Sequence, residues 1–141
     1  MGASIVAYWP GITDEQLERQ PGFTQDDRAW GNFMAEREDE LEVQRIMVAL
    51  GAGALLTAKT DGWDDGDVDW VTPQELYSAA IQLQAAIREK KPGIERVLEV
   101  YGRNSHEEYP DDIMVDLEDI KEIAQWAEQE GARVVTLEVN W

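Results

Sequence analysis

The stretch Thr72-Pro73-Gln74-Glu75-Leu76-Tyr77-Ser78-Ala79-Ala80-Ile81-Gln82-Leu83-Gln84-Ala85-Ala86-Ile87-Arg88-Glu89-Lys90-Lys91-Pro92-Gly93 carries both ends of one long helix. Thr72 supplies an N-cap oxygen. Pro73 fits the first helical position, where a missing amide hydrogen costs nothing, and Glu75 stands at the third position to close a capping box. Leu76, Ala80, Leu83 and Ile87 recur at alternating helical steps and so share one face. Lys90 and Lys91 suit the negative end of the helix dipole, and Pro92-Gly93 stops the helix. The spacing predicts a helix from Pro73 to about Lys90 that must cover something along one side.

Working outward, a second long helix is predicted over about Asp116 to Glu130. Leu117, Ile120, Ala124 and Ala127 lie on one face, with Ile123 and Trp126 beside it, and Gly131 ends it. Arg133 to Trp141 then reads as a strand, because Val135, Leu137, Val139 and Trp141 alternate with Val134, Thr136, Glu138 and Asn140. At the other end, Ser4 to Trp9 reads as a strand bounded by Pro10-Gly11. Thr13 and Gln16 form a capping box for a short helix that Pro21-Gly22 ends, and Thr24 caps a further helix through Trp30, Phe33 and Met34. The charged run Glu36 to Glu42 reads as helical surface, and Leu41 to Leu50 as a helix punctuated by Gly51 and Gly53. Ala54 to Thr60 fits a buried strand or a continued helix, Ile94 to Tyr101 a short helix or a strand, and Asn104 to Asp112 a loop. The fold class expected is α+β, with a small sheet holding both chain termini, covered by two long helices and decorated by shorter ones.

The 141 residues fit a single acidic domain over 1–141, large enough to fold without a disulfide or a structural metal. There is no cysteine, which removes thiolate metal sites and cysteine nucleophiles and suits a cytoplasmic location. No basic stretch precedes an apolar run at Met1 to Val6, so no signal peptide is expected. The longest apolar run, Ile46 to Ala58, is broken by glycines and falls short of the ~20 residues of a membrane span. The formal net charge is −18, from 30 acids against 12 Lys and Arg, so direct nucleic-acid binding is not expected.

The acids are concentrated. Asp61, Asp64, Asp65, Asp67, Asp69 and Glu75 occur over 61–75 without a Lys or Arg. Asp65, Asp67 and Asp69 alternate like the first ligands of an EF-hand calcium loop, and Glu75 stands at the following helix. The match is one residue short and lacks the turn glycine after Asp69, where Trp70 stands. A Ca²⁺ site from Asp65, Asp67, Asp69 and Glu75 is thus one expectation; aspartates bonding their own turn is the other. His106, the single histidine, lies among Glu107, Glu108, Asp111 and Asp112, where a hard-cation site or a solvated loop are the alternatives. No nucleophile elbow, phosphate loop or dinucleotide fingerprint accompanies it, so no enzyme and no organic cofactor are expected. Trp63 and Trp70 stand inside the acidic segment, as anchors for a partner or as a lid on the core.

The stretch from Asp61 through Trp63 to Thr72-Pro73-Gln74-Glu75-Leu76, and then Asp116-Leu117-Glu118-Asp119-Ile120 to the terminal strand, resembles bacterial immunity proteins of polymorphic-toxin systems in its layout. The resemblance implies a stoichiometric protein inhibitor without catalysis. The function expected is an acidic module that binds a basic protein partner through Asp61, Trp63, Asp64, Asp65, Asp67, Asp69 and Trp70, with 104–112 as a second contact region. Two alternatives stand beside it: a mimic of nucleic-acid charge that blocks a DNA-binding protein, and the Ca²⁺-binding domain.

Overall fold

The structure, a computed structural model, describes residues 4–21, 41–57, 70–102 and 109–140. In chain order these form β1 (Ser4–Tyr8), α1 (Asp14–Glu18), α2 (Leu41–Ala49), a 3₁₀ turn (Gly53–Thr57), α3 (Pro73–Glu89), α4 (Ile94–Gly102), α5 (Tyr109–Gln129) and β2 (Thr136–Asn140). The architecture is mixed α and β. A small antiparallel sheet is built from the two ends of the chain, and two long helices pack together beside shorter ones.

α3 begins as its sequence dictates. Thr72 Oγ1 accepts the Glu75 amide at 3.1 Å, and Glu75 Oε1 accepts the Thr72 amide at 3.2 Å. The same reciprocal cap opens α1, where Thr13 Oγ1 accepts the Gln16 amide and Gln16 Oε1 accepts the Thr13 amide. α3 ends at Lys90, which takes the left-handed conformation (φ 51°) and donates its amide back to Ile87 and Ala86. Gly93 follows with φ 90°, and a Cβ there would lie 2.8 Å from Ile46 Cγ2 on α2. This position therefore needs glycine both for its conformation and for the close approach of α2.

α3 and α5 run antiparallel, since Gln74 meets Glu128 at one end and Gln84 meets Glu118 at the other. Leu76, Ala79, Ala80, Leu83 and Ala86 of α3 are buried against Ile113, Leu117, Ile120, Ile123, Ala124 and Ala127 of α5. The alanines bring the backbones close, while each fully buried leucine or isoleucine contributes about 1.5–3 kcal/mol. Val43 and Met47 of α2, Leu55 of the 3₁₀ turn and Ile94, Val97, Val100 and Tyr101 of α4 extend the core, which Ala7, Trp9, Val135 and Leu137 of the sheet region also enter.

β1 and β2 pair from Ser4 with Asn140 to Tyr8 with Thr136. Just before β2, Val135 makes a further antiparallel bridge to Val71, with hydrogen bonds of 2.7 and 3.2 Å. The outer edge of β1 is closed at Ala7 by a side chain. The Gln20 amide accepts the Ala7 N–H at 2.8 Å and donates to the Ala7 carbonyl at 2.7 Å, as a neighbouring strand would. α1 is also fastened to the end of α5, where Arg19 pairs with Glu130 at 3.1 Å.

Several sequence expectations change. The segment 94–102 is helical, with Ile94, Val97, Val100 and Tyr101 forming a buried stripe, so the strand alternative falls. Residues 53–57 form a 3₁₀ turn, and neither a strand nor a continued α2. α5 begins at Tyr109, seven residues ahead of the expected start, so 109–112 are helix and not loop. β2 is confined to 136–140, and strict alternation fails where it begins. Val135, Thr136 and Leu137 are all fully buried, so both faces of the strand are covered there. The helix expected after Thr24 and the charged run before Leu41 lie outside the described residues.

Candidate functional site

The functional expectations centre on 61–75. Asp61, Trp63, Asp64, Asp65, Asp67 and Asp69 lie outside the described residues; Trp70 and Glu75 lie within them. Trp70 is half-buried, with its ring centroid 6.2 Å from that of Tyr8 on β1. Val71 is bridged to Val135, and Thr72 caps α3. Three successive residues thus fasten the chain where the acidic segment ends, each to a different part of the fold. Glu75, counted among the expected Ca²⁺ ligands, has Oε1 engaged by the Thr72 amide. Among the described residues no group of three or more acids or histidines is placed to hold a metal ion. His106, Glu107 and Glu108 lie outside those residues, and Asp111 and Asp112 fall in the first turn of α5.

Immediately beyond this foothold, the start of α3 and the end of α5 flank an open hollow of about 240 Å³. It is lined by Pro73, Gln74, Tyr77, Ala124, Gln125 and Glu128. Pro73 and Ala124 form a buried floor, while Gln74, Gln125 and Glu128 stand exposed around it. Gln74 Nε2 donates to Glu128 Oε1 at 2.7 Å across the hollow. No cationic side chain among the described residues pairs with Glu128. The hollow is smaller than the ~300–1,000 Å³ of small-molecule sites. Sequence reasoning missed it because its two walls lie some fifty residues apart in the chain.

About two turns further along α3 sits a polar knot. Gln84, only 3% exposed, has its amide fully used: Nε2 donates to Glu118 Oε2 at 2.6 Å and to the Met114 carbonyl at 3.4 Å, and Oε1 accepts from Lys121 Nζ at 3.3 Å. Lys121 also donates to Glu118 Oε2 at 2.6 Å, and its ammonium lies 5.8 Å from the centre of the Tyr77 ring. The hydrogen bonds from Lys121 and Gln84 hold the Glu118 carboxyl below its ordinary 4.5, against the opposing effect of its slight burial. Glu118 in turn balances the Lys121 charge beside the hollow.

A second hollow of about 350 Å³ lies between Trp9-Pro10 and the turn Gly131 to Val134. Its only charged lining residue is Arg133, of the wrong sign for a basic ligand. The Trp9 ring there packs on Trp126 with centroids 5.3 Å apart, Trp9 within the core and Trp126 partly buried against it. No helix among the described residues is long and apolar enough to cross a membrane. Comparison with known proteins finds no matching family model, no matching curated protein and no matching solved structure.

Proposed function

We propose that this protein is an acidic binding module that docks a basic protein partner, in the manner of an immunity protein that neutralises a toxin. The observation that carries the reading is the foothold at Trp70, Val71 and Thr72. A segment with five aspartates and no cation ends on three residues tied to β1, to Val135 and to the α3 cap. Holding the end of a binding segment in place lowers the entropy lost on association. The charge of −18 supplies long-range attraction to a cationic surface and accelerates encounter.

The test is a tagged pull-down from the source organism, washed at low and then moderate salt. The expected result is one stoichiometric basic protein. Association kinetics with that protein should slow steeply as salt rises, and the double change Asp65→Lys, Asp67→Lys should slow association further while leaving the melting temperature unchanged. Unaltered kinetics in the double variant would remove the 61–70 segment from the interface.

A further inference from the structure

We infer that the hollow between the start of α3 and the end of α5 seats one long cationic side chain, arginine above all, of the basic partner. The inference rests on the binding-module reading and adds where the partner inserts. Four groups around the hollow point to this occupant. Glu128 brings a carboxylate with no cationic partner among the described residues and a second oxygen beyond the one held by Gln74. Among the described residues, Gln74 Oε1, the Gln125 amide and the Tyr77 hydroxyl have no hydrogen-bond partner. The oxygens of these groups can accept hydrogen bonds beside the apolar lining of Pro73 and Ala124, which suits the planar donors and apolar stem of an arginine.

Size and sign agree. A hollow of 240 Å³ takes a single side chain, not a cofactor-sized molecule. Tyr77 already carries one ammonium, Lys121, near its ring, and that charge is offset by Glu118 at 2.6 Å. The hollow also adjoins the foothold of the acidic segment, since Pro73 and Gln74 follow Thr72 directly.

The experiment titrates the full chain with a hexa-arginine peptide at low salt and follows the side-chain amides of Gln74 and Gln125 and the backbone amide of Ala124 by nuclear magnetic resonance. A hexa-citrulline peptide, neutral but of the same shape, is the control. The expected result is saturable movement of those three signals with hexa-arginine only. Affinity should weaken about fivefold in Glu128→Gln, and in Gln125→Lys, which brings an ammonium of the chain's own to the hollow. Peptide binding of ordinary strength in both variants, without movement of the three signals, would overturn the hollow and leave the binding module standing. Equal movement with hexa-citrulline would overturn the cationic occupant. Absence of any hexa-arginine binding at low salt would overturn the hollow and the module together.

Discussion

The Tyr101 hydroxyl on α4 donates to the Asp116 carboxylate on α5, and the pair lies inside the core, with Tyr101 fully buried and Asp116 only 2% exposed. A carboxylate in such a place is tolerated only while its oxygens are supplied with donors. Tyr101→Phe keeps the ring and withdraws one donor. The expected cost is about 1–3 kcal/mol, read as a lower urea midpoint at unchanged slope. An unchanged midpoint would mean that other groups satisfy Asp116 completely.

Gly93 and Gly131 form a natural control for one another. Both have a φ near 90°, yet a Cβ at Gly93 would meet Ile46 at 2.8 Å and one at Gly131 would meet nothing within 4 Å. Gly131→Ala should cost about 1–2 kcal/mol for conformation alone. Gly93→Ala should cost about 1–3 kcal/mol more, because α2 must move away. Equal costs in thermal melts would show that Ile46 gives way freely.

Thr72→Ala removes one half of the α3 cap, with an expected loss of about 0.5–2 kcal/mol. Because Val71 is bridged to Val135, the loss should extend beyond the helix. Amide exchange at Val71 and Val135 should quicken along with that in the first turn of α3. Protection that drops in the helix alone would separate the cap from the foothold.

Glu118 gives the pH dependence a defined sign. Its folded value is held below 4.5, so its contribution to stability is present above 4.5 and is lost as pH falls through the lower, folded value. The melting temperatures of the wild type and Glu118→Gln should therefore differ most near neutral pH and converge in acid. A gap that stays constant down to about pH 3 would assign the loss to packing and not to charge.

Gln20 takes the place of a strand along Ala7. Gln20→Ala removes both hydrogen bonds, at about 0.5–1.5 kcal/mol each, and bares the edge of β1 to other chains. The variant should show concentration-dependent association in sedimentation where the wild type does not.

The helix starts at Thr13 and Thr72 were legible in the sequence because a capping box is a local device: the residues that signal it are the residues that make it. The buried faces of α3 and α5 followed from spacing for the same reason, although Ile87, expected on the α3 face, is only half-buried. The early start of α5 was missed because Tyr109-Pro110-Asp111-Asp112 reads as a turn. Proline and aspartate are equally at home in a helix's first turn, where no amide partner is needed and the dipole favours acids. Thr136 broke the expected alternation because burial of both faces depends on neighbours distant in the chain. The acidic segment was legible as charge. The hollow beside it was not, since Gln74 and Glu128 meet only after α3 and α5 have paired.

The pairing of β1 with β2 joins residues 4–8 to 136–140 and so closes nearly the whole length of the chain into one ring. Closing so long a loop is entropically unfavourable until the stretch between has been shortened by folding. The sheet thus acts as a clasp, whose closure is favoured once the helices between its strands have drawn its ends into reach. A pair of fluorophores placed beside the two strands would therefore report on the integrity of the whole body, and a fault in α3 or α5 would be read as separation at the clasp.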